Sequence, residues 1–306
     1  MKNLIITHGS DTDGVACPML LKLIDEKVDI IMCEVFNVNE IVNDYIENNK
    51  FLEYNNIYIT DLGISEKTAE LIDSDNKLKN IVKLFDHHIG NMSLNNYEWA
   101  QVVENEENGQ ACATTIFYKY LINNYSNKIL LSENVKEFIE LTRQIDTWEW
   151  AKNNNLDAKK IGDIFIFYGV KIFMEEYFKK LKNPKSKLFE EKENFIFDLE
   201  QEHINKYIEK KEKTLIIKQL NNYKVGIVYA DIYKAHLGNV LAERYKDSID
   251  FIIIIDLSKG ISYRAFKDNI DLNEIAKIYG GGGHAKAAGS PLPESIRDKV
   301  FEIIFK

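Results

Sequence analysis

The chain has 306 residues, enough for one large domain or two ordinary ones; because single cores stop growing efficiently at about 250–300 residues, two domains are expected. With 45% hydrophobic and 28% charged residues, and only 4 Pro and 15 Gly, the composition excludes widespread disorder. A formal net charge of −9 excludes a protein that grips long nucleic acid by neutralising many phosphates in turn, so any nucleic-acid ligand should be short.

The N-terminal run Leu4-Ile5-Ile6 is too short for the apolar region of a signal peptide. The most apolar later window, Ile161 to Phe173, is broken by Asp163 and Lys171 and falls far below a membrane span. Three cysteines (Cys17, Cys33 and Cys112) without a CxxC pair fit packed thiols in a reducing compartment. A cytoplasmic protein without membrane contact is expected.

Short apolar runs at Leu4–Ile6, Ile30–Ile31, Ile57–Ile59 and Ile81–Phe85 alternate with helical spacing over Val15–Ile24, Glu40–Tyr45 and Glu66–Ile72. That is the βαβ pattern of a parallel sheet. Ser65 is placed to cap the third helix, and Pro18 is expected in the first turn of the first. From Gln110 to Trp150 the pattern is helical. From Ala151 to Lys213 it stays helical but becomes strongly charged, with Leu188, Phe195, Leu199 and Tyr207 as an apolar stripe.

Near Thr214 the pattern changes to a β-hairpin, with Leu215–Ile217 and Val225–Tyr229 joined by a turn at Asn221-Asn222. A helix through His236 to Tyr245, strands at Phe251–Ile255 and Ile261–Phe266, a glycine run and a short helix complete the pattern. The expected domains are a parallel-sheet α/β domain at 1–150, a helical connector at 151–213 and a smaller α/β domain at 214–306. His203 and His236 are read as surface residues.

Chemistry-bearing residues follow the strands. His8, Asp11 and Asp13 come after the first, Asp61 after the third, and Asp86-His87-His88 after the fourth. In an open parallel sheet that edge is where ligands bind. Asp61 alone could be a helix cap, and Asp11-Thr12-Asp13-Gly14 alone resembles an ordinary turn. Their arrival at one edge, with Asp146 as a further contributor, points to a metal site. Carboxylates with one or two imidazoles and no thiolate suit Mn²⁺ or Mg²⁺ rather than structural zinc. Two ions about 3.5–4 Å apart would share a bridging carboxylate and promote in-line displacement at phosphorus.

The segments around Asp11-Thr12-Asp13-Gly14, Asp61, Asp86-His87-His88 and Asp146 resemble the four motifs of the DHH phosphoesterase family. Gly280-Gly281-Gly282-Gly283-His284 is similar to the glycine-rich signature of that family's DHHA1 substrate-binding domain, so the resemblance covers almost the whole chain. It implies a DHH domain at 1–150 and a DHHA1 domain at 214–306. One metal would be held by His8, Asp11 and Asp61, and the other by Asp13, Asp61, His87 and Asp146, with Asp61 bridging. Because neighbouring side chains should diverge, His88 is read as a phosphate or transition-state contact. Asp86 would orient a histidine from behind. Two divalent cations are expected, Mn²⁺ foremost, with Mg²⁺ or Co²⁺ as alternatives.

Gly281, Gly282, Gly283 and His284 are read as a phosphate-binding loop at the start of a helix, against the alternative of a flexible hinge. Arg264 matches the family's substrate arginine. Asp86-His87-His88 followed by Leu94-Asn95-Asn96-Tyr97-Glu98-Trp99 resembles the short-oligoribonuclease, or nanoRNase B-like, subgroup, which implies hydrolysis of short RNA to mononucleotides. The rivals are a phosphoesterase acting on cyclic dinucleotides, linear dinucleotides or 3′-phosphoadenosine 5′-phosphate, and, from another class, a non-catalytic nucleotide sensor. The sequence leaves base preference, direction of hydrolysis and oligomeric state open.

Overall fold

Along β1 (Lys2–His8) the side chains of Leu4 and Ile6 pack to one side and that of Ile5 to the other, all fully buried, as befits a strand covered on both faces. In the computed structural model, which describes residues 2–293 and 295–305, β1 is followed by α1 (Thr12–Ile24), β2 (Val28–Cys33), α2 (Val38–Glu47), β3 (Tyr54–Thr60), α3 (Glu66–Ser74), the single turn α4 (Leu78–Ile81), β4 (Val82–Asp86) and β5 (Ala100–Val102). The five strands are all parallel, in the order β2-β1-β3-β4-β5.

A small hairpin, β6 (Asn105–Glu106) and β7 (Gly109–Gln110), precedes the helices α5 (Ala113–Asn124), α6 (Glu133–Asp146), α7 (Glu149–Asn153), α8 (Leu156–Lys182) and α9 (Glu191–Glu212). Gln110, expected in a helix, therefore ends a strand.

The sheet lies between two helical layers. Leu4, Ile6, Ile57, Ile59 and Leu84 pack on Val38 and Val42 of α2 and Ala69 and Ile72 of α3. Ile5, Tyr58 and Phe85 pack on α1, α5, α6 and α8. Each large aliphatic side chain so buried contributes about 1.5–3 kcal/mol. In the stretch read as a connector, Ile161, Ile164, Phe173 and Tyr177 of α8 belong to this same core, and Gly169 (φ 66°) interrupts the helix. The chain divides into two compact units, one ending at Phe197 and the other beginning at Asp198.

Ser65 does cap α3, its Oγ accepting from the Thr68 amide at 3.3 Å. Pro18, however, lies in the interior of α1, because the helix starts at Thr12, capped by Asp11. Proline there deprives the Gly14 carbonyl of its usual donor four residues on. The Thr7 hydroxyl takes that place, donating to Gly14 O at 2.6 Å, and itself accepts from Thr60 Oγ1 at 2.8 Å. Gly14 is required for close approach: a Cβ there would stand 2.1 Å from the His8 carbonyl oxygen.

The second unit contains β8 (Ile216–Leu220), β9 (Tyr223–Tyr229), α10 (Lys234–Arg244), β10 (Phe251–Asp256), β11 (Gly260–Arg264), α11 (Leu272–Ile278), β12 (Gly282–Gly283), β13 (Ala287–Ser290) and α12 (Ile296–Phe305). Its sheet runs β12-β13-β11-β10-β9-β8, and only β9 and β10 pair in parallel. One face packs on Leu237 and Leu241 of α10 with Ile204 and Ile208 of α9; the other packs on Leu272 and Ile275 of α11. The apolar stripe of α9 thus differs from the expected one: Phe195 is 67% exposed, and Leu188 lies before the helix.

No helix begins at the glycine run. It follows the end of α11, where Gly280 (φ 74°) sits beyond the C-cap, Gly280 N donates to Lys277 O at 3.1 Å and Gly281 N to Ala276 O at 2.9 Å. This doubly bonded glycine termination satisfies two carbonyls of the last turn. Among the described residues no helix is long and apolar enough to cross a membrane.

Thr7→Val should destabilise the first unit by about 1–3 kcal/mol, the cost of an unpaired buried carbonyl. Pro18→Ala, which restores an amide donor to Gly14 O, should recover part of that loss in the double variant. Denaturant unfolding of the four proteins checks this coupling; strictly additive effects would disprove the substitution of Thr7 for the missing amide.

Candidate metal centre

The parallel register places Thr7, Thr60 and Phe85 side by side, so the residues that follow, His8, Asp61 and Asp86, leave the sheet at one edge. From α1 the same edge receives Asp11 as its N-cap and Asp13 in its first turn; from the end of α6 comes Asp146. Asp61 adopts a left-handed backbone (φ 58°), with its amide donating to Phe85 O at 2.9 Å. Aspartate tolerates that region better than most residues, and such strain gathers at functional sites.

Donor atoms gather here in clusters whose members all lie within 4.8 Å of one another, among them His8 with Asp11 and Asp61, and Asp13 with His87 and Asp146. His8 Nδ1 lies 2.8 Å from Asp11 Oδ2 and 3.5 Å from Asp61 Oδ2. His87 Nε2 lies 3.4 Å from Asp61 Oδ1, 3.5 Å from Asp146 Oδ2 and 3.8 Å from Asp13 Oδ2. Asp61 stands between these two clusters. Asp61 Oδ2, His87 Nε2 and Asp146 Oδ2 are buried without a hydrogen-bond partner.

Buried polar atoms are almost always paired, so three orphans converging on one space mark a missing partner. Donors each about 2.1 Å from a common cation stand about 3–4 Å apart, the spacing seen here. The residues present fit divalent cations. His88 also belongs at this edge: its ring lies 4.3 Å from that of His87, and the two share a 4.8 Å cluster with Asp61. Adjacent residues therefore converge more than expected, but His88 Nδ1 is engaged by Asp86 Oδ1 at 2.7 Å.

The charges are unbalanced in a way a cation would correct. Burial, reinforced by repulsion from neighbouring carboxylates, drives both Asp13 and Asp146 upward from the usual carboxylate range. Its hydrogen bond to the Asp11 carboxylate, and then the nearby Asp61 carboxylate, push His8 up to about 11. For His87 burial pulls downward, but the Asp61 carboxylate close to its ring and the charges of Asp13 and Asp146 outweigh it and leave the imidazole at about 10. A dication supplies that positive charge without a proton.

Some supporting residues escaped the sequence reading. Glu34 accepts from Ser10 and lies 3.0 Å from His8 Nε2. Asn91 donates to Asp86 at 2.6 Å, and Asp86, fully buried, holds His88 in turn. The N-terminus of α5 grips Asp13: Ala113 N and Thr114 N reach its two carboxylate oxygens at 2.7 and 2.8 Å. An anion is favoured at that end of a helix. Glu34 and Asn91 stand outside any motif, and the Cys112-Ala113-Thr114-Thr115 cap was the one available signal for α5.

The other singled-out residues lie in the second unit. Arg264 ends β11, half-buried, with Nη1 donating to Tyr263 O at 2.8 Å. Gly281 precedes β12, and Gly282 and Gly283 form it; exposed His284 begins the tight turn to β13, with His284 N donating to Ala287 O at 2.8 Å. Cβ atoms at Gly281 and Gly283 would collide with Gly289 O at 2.0 Å and Ala288 Cα at 2.6 Å, so close strand packing already requires these glycines.

Aspartates and histidines from successive strand ends of a parallel sheet gather here into adjoining clusters whose donors fit divalent cations. Residues 2–142 match the DHH family, N-terminal domain. Oligoribonuclease NrnB of Bacillus subtilis (strain 168) is 36% identical over 300 residues, spanning 96% of this chain and 73% of the relative. The chain belongs to the DHH family and is a hydrolase.

Among solved structures, the DHH domain of a protein assigned to a family of ribosomal proteins is similar with a TM-score of 0.62 and 16% identity, covering 98% of this chain and 85% of that one. The pGpG-specific phosphodiesterase PggH from Vibrio cholerae is similar with a TM-score of 0.52 and 15% identity, covering 99% and 97%. At these identities the likeness shows the fold.

Without metal, the raised histidines contribute stability that is complete below their ordinary value near 6.5 and is lost as pH climbs through about 10 to 11. A cation must displace these protons, so its affinity should rise with pH. Adding Mn²⁺ after chelation should raise the Tm, by the equivalent of about 2.7 kcal/mol at a hundredfold excess over Kd, more at pH 8 than at pH 6. Asp61→Asn should abolish the shift. An equal Mn²⁺ response in Asp61→Asn would refute the shared role of this carboxylate.

Proposed function

We propose that this hydrolase cleaves short oligoribonucleotides to mononucleotides with two divalent cations, Mn²⁺ foremost. One cation would be held by His8, Asp11 and Asp61, the other by Asp13, Asp61, His87 and Asp146. The observation that carries the reading is the three orphaned buried atoms on Asp61, His87 and Asp146. The oligoribonuclease name of the Bacillus subtilis relative supports the substrate class. The acidic net charge of −9 supports short over long RNA. Three buried free thiols suit a reducing compartment, and we place the enzyme in the cytoplasm.

When bound, the cations supply Lewis acidity: they acidify water toward neutral pH and offset charge developing on the phosphoryl oxygens. The protein's own groups orient the reaction. Asp86 anchors His88 through Nδ1, and that contact, the leading cause, raises the basicity of the imidazole. His88 is thereby left with Nε2 to donate a hydrogen bond to a phosphoryl or leaving-group oxygen. The α5 amides fix Asp13 and free its carboxylate from searching rotamers. We assign substrate binding in the second unit to Arg264, Gly281, Gly282, Gly283 and His284, with Arg264 as a bidentate phosphate partner.

The test is a panel of end-labelled RNAs of two to about thirty nucleotides with Mn²⁺, resolved by length. Substrates of two to five nucleotides should be cut on the order of ten times faster, or more, than those of twenty and above, with mononucleotides as the only end product. Length-independent rates would contradict the short-substrate reading, and absence of cleavage would contradict the activity.

A further inference from the structure

Beyond β2 the chain turns sharply over residues 34–38. The Glu34 amide donates to Asn37 Oδ1 at 2.8 Å, and the amides of Asn37 and Val38 both return to Glu34 O at 3.1 Å. The carboxylate of the same Glu34 lies 3.0 Å from His8 Nε2 and accepts from Ser10. The turn is therefore fastened to the metal cluster through its first residue.

Two positions on, held on this bonded backbone, Phe36 leaves 85% of its surface in water. An isolated exposed aliphatic side chain needs no explanation. A phenyl ring on a turn whose anchor touches a candidate metal ligand belongs to none of the buried clusters, and two other site-bearing segments follow the same pattern. Ile89, directly after His88, is 63% exposed, and Trp148, two residues after Asp146, is 42% exposed. Three of the segments that carry site residues thus also present a large apolar side chain to solvent.

We propose that Phe36 is a stacking platform for one nucleobase of the substrate whose phosphate is engaged at the adjoining His8–Asp11–Asp61 cluster. This rests on the oligonucleotide reading above. A phenyl ring has no donor or acceptor for a phosphate or ribose, but every base has a face to lay on it, so the contact is tolerant of sequence. It adds attraction without charge. That suits an enzyme whose net charge of −9 repels a polyanion, and it gives a two-nucleotide substrate a grip that counting phosphates does not.

The experiment compares wild type, Phe36→Ala and Phe36→Trp on four substrates with Mn²⁺: 5′-phosphorylated ApA, its two analogues with one base removed at either position, and bis-p-nitrophenyl phosphate. Phe36→Ala should raise KM on the intact dinucleotide on the order of ten- to a hundredfold while leaving kcat and the small ester nearly unchanged. Phe36→Trp should restore KM, and one of the two abasic analogues should be insensitive to the alanine change.

Unchanged KM in Phe36→Ala overturns the proposal while the oligoribonuclease reading stands. If wild type cleaves the small ester but no RNA, that reading fails, and binding of a fluorescent dinucleotide in Ca²⁺ then decides: weakening by Phe36→Ala supports the platform, and no binding or equal binding overturns it. Sedimentation of each variant covers the remaining occupant, a second copy of this chain. A change of association state with equal losses on all four substrates overturns the proposal.

Discussion

Carboxylates resist being buried side by side, and this fold brings Asp13, Asp61 and Asp146 together in a space largely shielded from water. Removing each charge from water costs several kcal/mol, and mutual repulsion adds to that. Without cations the centre favours protons on His8, His87, Asp13 and Asp146, beside the α5 amides that meet Asp13. The surrounding architecture can be understood as what holds this unfavourable arrangement in place. The sheet carries an apolar cluster on each face, the α5 amides clamp Asp13, Thr7 and Thr60 tie α1 to two strands, and Asp61 is kept in a left-handed backbone.

The clustering follows from topology as much as from side-chain chemistry. Parallel strands deliver their carboxyl ends to one edge, and α1 then starts there, so the short junction from the end of β1 to the first turn of α1 contributes His8, Asp11 and Asp13. Close approach of helix and strand is possible because residue 14 is glycine. The price of that geometry is a helix with a proline in its interior, compensated by a threonine hydroxyl from the strand beside it.

Much of this was legible in the sequence, for physical reasons. Fully buried parallel strands read as continuous apolar runs, and His8, Asp61 and Asp86-His87-His88 stand directly at their ends, so strand assignment alone brought the candidate ligands to one edge. Glu34 was not legible, because the run before it is short and a lone acid after a strand is ordinary. Nor were the amides of Ala113 and Thr114, since backbone donors leave no mark in composition. The glycine run misled: Gly280–Gly283 next to His284 suggested a helix start, whereas glycine is the residue that most often ends one. Phe195 misled differently, since a charged helix offers several apolar faces of similar weight and only the packed structure selects Ile204 and Ile208.

The central claim is that two cations share Asp61. Crystals of the protein grown without metal and soaked in Mn²⁺ would test it through anomalous difference density. Two peaks about 3.5–4 Å apart are expected, one beside His8 and Asp11, the other beside Asp13, His87 and Asp146, with the Asp61 carboxylate between them. A single peak, or two peaks with Asp61 bound to neither, would contradict the account.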